Sequence, residues 1–346
     1  MKTRLRLTAA LAAASLIGLT GCGANTGATN NNAASDFPKK GKSIDLVVAF
    51  GSGGAVDTAA RLIQPVLEKE LGTNVEVINK PGAGGQIGYT QLTSAKPDGY
   101  TIGATGSPSV VVSPLDPSRG AKYTRDSFQP LGRQVIDPTV IAVQPDSPYQ
   151  TLKDLLEAVK AKPKSMTAST TGLQTGEHFA LAQIQQATGS EFAPVHFSEG
   201  ASQATTAFLG KHVDVLVANV SDVNDLTKQG KARVLGVMSA ERAPSLPEIP
   251  TFKESGYDLT AGTARGYSAP AGLPADVAKK LEAAIQKAIE DPTVVQKMKD
   301  LGLQTSYLNG ADYKTFWAGQ EEDFKEVLPL VQKKTDPHCP ERKDPS

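Results

Sequence analysis

The chain has 346 residues, with 36 basic and 36 acidic side chains and a formal net charge of zero. A balanced charge without a basic stripe argues against a nucleic-acid partner, and only two cysteines exclude a disulfide framework. Four scattered histidines argue against a histidine-rich metal site, so neither a metal nor a cofactor is expected.

Lys2, Arg4 and Arg6 precede an apolar run from Leu7 to Leu19, broken by Thr8, Ser15 and Gly18. A positive start and an apolar stretch too short to span a bilayer stably make residues 1–21 a signal peptide. Leu19-Thr20-Gly21-Cys22 resembles the lipobox of bacterial lipoproteins, which implies cleavage before Cys22 and a diacylglycerol on its thiol. Two acyl chains, at about 0.8 kcal/mol per buried methylene, anchor where one chain binds only marginally. Cleavage leaves 325 residues with a net charge of −3, because the three basic residues go with the signal. The expected address is extracytoplasmic, on the outer face of the cytoplasmic membrane, with the periplasmic side of a two-membrane envelope as the alternative. Residues 22–40 are expected to form a flexible tether, since Gly23 to Ser35 is nearly all Gly, Ala, Asn, Thr and Ser. The tail, 335–346, holds three prolines and several charges and reads as disordered; its Cys339 has no partner if Cys22 is lipidated. After Cys22 no apolar stretch approaches transmembrane length.

In between, apolar runs alternate with helical patterns. Ile44 to Phe50 reads as a buried parallel strand, and Asp57 to Leu71 as a helix with Leu62, Ile63, Val66, Leu67 and Leu71 on one face, kinked at Pro65. A strand at Asn74 to Ile78, a helix from Gln86 and a strand at Tyr100 to Thr105 follow. A second series comprises strands at Val140 to Val143 and near Met166, with helices at Leu152 to Lys160 and Glu177 to Thr188. Strands at Pro194 to Phe197, Val213 to Val217 and Val234 to Met238 close it. The C-terminal part is mostly helical. One helix starts at Pro274 and runs to Glu290; another opens on Asp291-Pro292 as N-cap and N1 and ends at Gly302. The succession predicts an α/β protein with mostly parallel sheets flanked by helices.

Ligands in such sheets sit at the carboxyl ends of strands, where glycine turns meet helix N-termini and unpaired N–H groups favour an anion. Gly51-Ser52-Gly53-Gly54, Gly82-Ala83-Gly84-Gly85 and Gly106-Ser107 are three such turns. Ser52, Thr105 and Ser107 add hydroxyls for a carboxylate. Nucleotide patterns fail: no Gly-Lys-Ser/Thr follows Gly53-Gly54, and Gly88 arrives one residue late for a dinucleotide fingerprint. Hydrolase patterns fail too, with no G-x-S-x-G and no H-E-x-x-H. Glu177-His178 are adjacent on a helix and point apart, so no catalytic residues are assigned.

Taken together these segments resemble the substrate-binding receptors of tripartite tricarboxylate transporters, the TctC or Bug family. IDLVVAFGSGGAVDTAARL is similar to the family's strand, Phe-Pro-Pro-Gly-Gly loop and Asp-opened helix. VEVINKPGAGGQIG and AKPDGYTIGATG resemble its Asn-Arg-Pro-Gly-Ala-Gly-Gly and Pro-x-Asp-Gly-Tyr-Thr segments. TGLQTGEHFALAQI, FSEGASQATTAFLGKHVDVLVANV and ARGYSAPAGLPADVAKKLEAAI follow in the family's order, so the likeness covers nearly all of Ser43 to Lys334. Ser52 for a proline, Lys80 for an arginine, Lys211-His212 for a Gly and a variable residue, and Pro65 are departures.

The resemblance implies a two-lobed periplasmic-binding-protein-like fold, with 41–140 plus 262–334 as the first lobe and 141–261 as the second. It implies a small carboxylate in the cleft, held by Phe50, Ser52, Gly53, Gly54, Ala55, Asp57, Gly84, Gly85, Thr105 and Ser107 from the first lobe. From the second lobe it implies Thr175, His178, Ser202 and Asn219. Asp57 is open between two roles, a helix cap or an acceptor for a ligand hydroxyl or ammonium. Almost no charged side chain is expected in the cleft. The implied protein is a monomer that delivers a di- or tricarboxylate, amino acid or aromatic acid to membrane transporter subunits. Sensing for a membrane signalling protein is an alternative, and an extracytoplasmic enzyme a remoter one.

Overall fold

A computed structural model describes residues 36–303 and 305–332. The expected signal peptide, Cys22, nearly all of the expected tether, and Cys339 with the rest of the tail lie outside those residues. Ten strands form one continuous sheet, in the order β2-β1-β3-β9-β4-β7-β5-β6, with β8 and β10 both paired to β4.

One half of the sheet is built from β1 (Ile44–Val48), β2 (Val75–Asn79) and β3 (Thr101–Ser107). β1 pairs with both neighbours in parallel. α1 (Ala55–Leu71) buries Ala59, Ala60, Ile63, Leu67 and Leu71, positions three or four apart that share one face. Gly72 ends it at φ +68, its N–H on the Glu68 carbonyl. α1 packs with α8 (Ala275–Glu290) in a core of Ile44, Leu46, Val48, Ile63, Leu67, Leu281 and Ile285. The packed body begins at Phe37, earlier than the tether boundary expected at residue 40. Phe37 is buried edge-on to Tyr100, and its carbonyl accepts from Lys280 Nζ at 2.7 Å.

The other half holds β5 (Thr167–Thr170), β6 (Ala193–His196), β7 (Val215–Asn219) and β8 (Arg233–Val237), with β5 parallel to β6 and β7. Its strands are covered on both faces, as a doubly flanked sheet requires. Val215 and Val217 of β7 point into a core with Leu155, Leu181 and Ile184, while Leu216 and Ala218 point into one with Phe208 and Val223. Those side chains come from α4 (Leu152–Ala161), α5 (Gly176–Thr188), α6 (Ala201–Leu209) and α7 (Val220–Lys228).

Joining the halves are two strands that the composition hides. β4 (Phe128–Val143) runs for 16 residues, far longer than the expected strand at Val140 to Val143, and β9 (Gly262–Pro270) lies antiparallel beside it. Both carry Pro, Gly and isolated charges, which weaken strand propensity, so position in the fold decides their conformation. β4 also pairs antiparallel with β7, β8 and β10 (Thr305–Asn309). The parallel strands therefore lie in the two wings and the antiparallel ones at the centre. α2 (Gln86–Ser94), α3 (Ser109–Val112), α9 (Pro292–Asp300) and α10 (Gly310–Gln332) complete the described α-helices.

Candidate functional site

The first loop, between β1 and α1, is tied down by its own neighbours. Asp57 folds back from the first turn of α1, and its Oδ2 accepts from the Gly53 N–H at 2.9 Å. Asn79, the last residue of β2, donates Nδ2 to Asp57 Oδ1 at 2.9 Å and to the Phe50 carbonyl at 3.0 Å. Arg61 Nε reaches both Asp57 oxygens at 3.0 Å. Burial pushes the Asp57 pKa up, but the hydrogen bonds from Arg61, Gly53 and Asn79 outweigh it and hold the carboxyl below its usual range. The N-cap of α1 is Gly54, with no side-chain bond. Asp57 thus acts as the clasp of the Phe50–Gly54 loop, leaving Ser52 and Gly53 exposed and Gly54 and Ala55 half-buried at the helix mouth.

The second loop runs through four consecutive residues of positive φ, from Gly82 at 125° through Ala83 and Gly84 to Gly85 at 97°. Gly84 sits where no side chain fits, since a Cβ there would lie 2.7 Å from the Leu173 carbonyl. At the end of β3, Thr105 shares a 2.9 Å hydrogen bond with Ser268 of β9, and Gly106 N–H donates to the Tyr89 hydroxyl at 3.1 Å. The Ser107 hydroxyl bonds to Gln320 of α10. Both hydroxyls are fully buried and engaged within the protein.

From the second half, Thr175 precedes α5, and its Oγ1 donates to the Gly172 carbonyl at 3.0 Å. His178 is buried, accepts the Gln174 N–H on Nδ1 at 3.0 Å and lies 4.4 Å from His196, ring centre to ring centre. Burial, reinforced by the neighbouring histidine and Arg119, holds the His178 pKa well below its usual value. Burial and Arg119 bring that of His196 down to about 4. Both rings are neutral at pH 7. Asn219 ends β7, and its Nδ2 donates to Glu177 Oε1 at 2.6 Å.

Beneath these loops, where β4, β7 and β9 meet, lies a buried ionic network that the sequence reading did not assign. Arg265 Nη1 of β9 and Ser221 Oγ both lie 2.5 Å from Asp137 Oδ2 of β4. Glu177 accepts from Thr171 and Asn219, and Asp222 accepts the Asn219 N–H at 3.1 Å. Burial raises the Asp222 pKa to about 7; Arg265 draws it down, while Asp137 and Glu177 push it up. Residues 135–139 and 263–265 carried a sequence signal for this network, as lone opposite charges flanked by Val, Ile, Thr and Ala. Which charge meets which depends on the sheet order.

The two halves close on one seam. Gly51 N–H donates to the Glu199 carbonyl at 2.9 Å, and a Cβ on Gly51 would lie 3.3 Å from Ser202 Oγ. Phe50 packs against Gly200, and Gly84 against Gly172 and Leu173. Arg119 Nη2 donates to the Ala83 carbonyl at 2.7 Å, and the Gln174 side-chain amide reaches Asp116. Phe50 to Ala55, Gly84, Gly85, Thr175 and Ser202 are therefore brought together at or beside the seam. Asn219 lies in the network below it. Thr105 is engaged inside the sheet, and His178 faces His196. Among the described residues no group of three or more His, Cys, Asp or Glu is arranged to hold a metal.

The model of the tripartite tricarboxylate transporter family receptor matches residues 59–334. The UPF0065 protein of the tcbD-tcbE intergenic region of Pseudomonas sp. strain P51 is 33% identical over 285 residues, covering 81% of this chain and 83% of its own. The periplasmic binding protein BugD is 30% identical, with a TM-score of 0.76 over 84% of this chain and 97% of its own. MatC of Rhodopseudomonas palustris, solved with bound malate, shares the fold at 24% identity, with a TM-score of 0.77 over 83% of this chain and 98% of its own.

Proposed function

This chain belongs to the tripartite tricarboxylate transporter receptor family, whose members are extracytoplasmic solute-binding receptors and not enzymes, and from that premise we propose that it captures a small organic carboxylate between two lobes and passes it to membrane transporter subunits. The lobes of this reading are 41–140 with 262–334, and 141–261, with β4 and β9 as the linking strands. The observation that carries it is the seam, where the Phe50–Gly54 and Gly82–Gly85 turns face the loops before α5 and α6. On the first-lobe side the turns open onto the N-termini of α1 and α2, where backbone N–H groups and helix dipoles favour an anion without a fixed cation. The acid would be held at Phe50, Ser52, Gly53, Gly54, Ala55, Gly84 and Gly85, with Asp57 clasping the loop. Thr175 and Ser202 would close from the other lobe, and Thr105, Ser107, His178 and Asn219 would stand behind these contacts. A lipid on Cys22 would keep a monomeric receptor beside its transporter.

A calorimetric and thermal-shift screen of di- and tricarboxylates, amino acids and aromatic acids tests this, with malate as the first acid. An acid at 100 times its Kd stabilises the folded protein by about 2.7 kcal/mol. No stabilisation by any acid of the panel overturns the reading.

A further inference from the structure

Gln174 stands one residue before the N-cap of α5, at φ +57°, in a region that side-chain-bearing residues rarely adopt. Such strain persists where surrounding contacts hold it, and it gathers at functional sites. Here two polar groups of the same residue are held and a third is not. The backbone N–H donates to His178 Nδ1 at 3.0 Å, which fixes the loop to α5. The side-chain Nε2 donates across the seam to Asp116 Oδ2. The remaining group, Oε1, is buried with no hydrogen-bond partner among the described residues, in a residue only 4% exposed.

The amide cannot be turned over to relieve this. Turning it would set Oε1 against the Asp116 carboxylate, two acceptors face to face. That carboxylate is held below its usual pKa: burial pushes it up, but bonds from Ser118, Gln174 and Gln332 outweigh it. A buried amide oxygen needs an O–H or N–H donor. The neighbouring seam supplies another acceptor, the Leu173 carbonyl pressed against Gly84, and the Arg119 guanidinium there gives its Nη2 to the Ala83 carbonyl.

Resting on the carboxylate-receptor reading above, we propose that Gln174 is a specificity-determining residue whose amide oxygen takes a hydrogen bond from an O–H or N–H carried by the bound acid. The receptor then prefers a hydroxy- or amino-substituted carboxylate over the plain acid of the same length. A plain acid leaves the buried oxygen unpaired, which lowers affinity by about tenfold or more.

The test is titration calorimetry of the wild type, Gln174→Gly and Gln174→Leu with matched acids: succinate, malate and aspartate, then glutarate, 2-hydroxyglutarate and glutamate. Glycine suits the positive φ, so Gln174→Gly folds while losing the amide, and Gln174→Leu keeps the bulk without the acceptor. In the wild type, malate or aspartate binds about tenfold more tightly than succinate, or their longer counterparts more tightly than glutarate. The hydroxy and amino arms tell which donor is read. In both variants the ratio falls towards one, on top of any loss common to all acids from the missing bond to Asp116. A ratio retained in Gln174→Gly, equal binding of plain and substituted acids by the wild type, or weakening of all acids alike overturns the inference and leaves the receptor reading intact. If no acid binds the wild type, the receptor reading itself falls.

Discussion

The loop after β1 and the network beneath the seam both hold a buried aspartate, yet they recruit its partners from very different distances along the chain. Asp57 takes Arg61 from four residues away and Asn79 from 22, all within one strand–helix–strand unit. Asp137 takes Arg265 from 128 residues away, across two adjacent antiparallel strands of the central sheet. The exposures differ as well. Arg61 keeps 47% of its side chain in water, whereas Arg265 keeps 7% and Asp137 1%. The first arrangement is a local clasp that can form as soon as its unit folds. The second exists only when the whole sheet is assembled, and it joins the strands that link the two halves of the sheet.

The comparison breaks most sharply at Arg265. Arg265→Met leaves Asp137 buried beside Glu177 and Asp222 without its cation, and such a loss is expected to destabilise by about 3–5 kcal/mol. Arg61→Ala, from the half-exposed pair, is expected to change stability by no more than about 1 kcal/mol. Urea unfolding of the two variants measures both. The double change Asp137→Leu with Arg265→Met recovers much of the loss, because it removes both charges together. If Arg265→Met unfolds at the same urea concentration as Arg61→Ala, the central network is not the tie described above.

The same contrast explains what could be read from the sequence. The strands of both wings and most of their helices were legible to within a residue or two, since Ile44–Val48 and Ala55–Leu71 carry their period and punctuation locally. The glycine loops were legible for the same reason, as runs of glycine between a strand and a helix. β4 and β9 were not, because Pro130, Gly132, Pro138 and Gly262 read as loop until neighbours on both sides pair with them. The pairings of Arg265 with Asp137 and of Gln174 with Asp116 went unread because the partners lie 128 and 58 residues apart. Thr105 and Ser107 show the converse: their hydroxyls suit an anion, but Ser268 and Gln320 occupy them.

A smaller effect separates the seam from the loops themselves. Gly84→Ala places a Cβ 2.7 Å from the Leu173 carbonyl, on the opposite side of the seam, at φ +66°. Gly53→Ala has nothing within 4 Å of its Cβ at φ +78°. Both pay a backbone penalty of about 1–2 kcal/mol for the left-handed conformation. Only Gly84→Ala also penalises the closed form, so its affinity for the acid found in the screen is expected to fall about tenfold or more, beyond any change at Gly53. Calorimetry on both variants reads this directly. Equal losses would mean that the Gly82–Gly85 turn does not bear on closure.

The most specific effect is a dependence on pH. Asp222 has its pKa raised from 3.8 to about 7, so the folded protein holds a proton there that the unfolded chain releases at a lower pH. The unfolded chain then binds fewer protons than the fold between about pH 4 and 7, and the contribution of Asp222 to stability falls as pH rises through that window. The histidines act with the opposite sign. His178 and His196 are kept neutral below their usual 6.5, so their contribution is lost as pH falls below about 6.5, toward about 4 for His196. In the wild type the two slopes oppose one another. Asp222→Asn keeps an acceptor for the Asn219 N–H and removes that opposing titration. The stability of Asp222→Asn relative to the wild type should therefore rise steadily from pH 4 to 7 and level off above, as read from urea midpoints at each pH. A difference that stays constant across the range would mean that Asp222 is ionised in the fold as Asp57 is, and would remove the contrast between an ionised local clasp and a protonated aspartate at the centre.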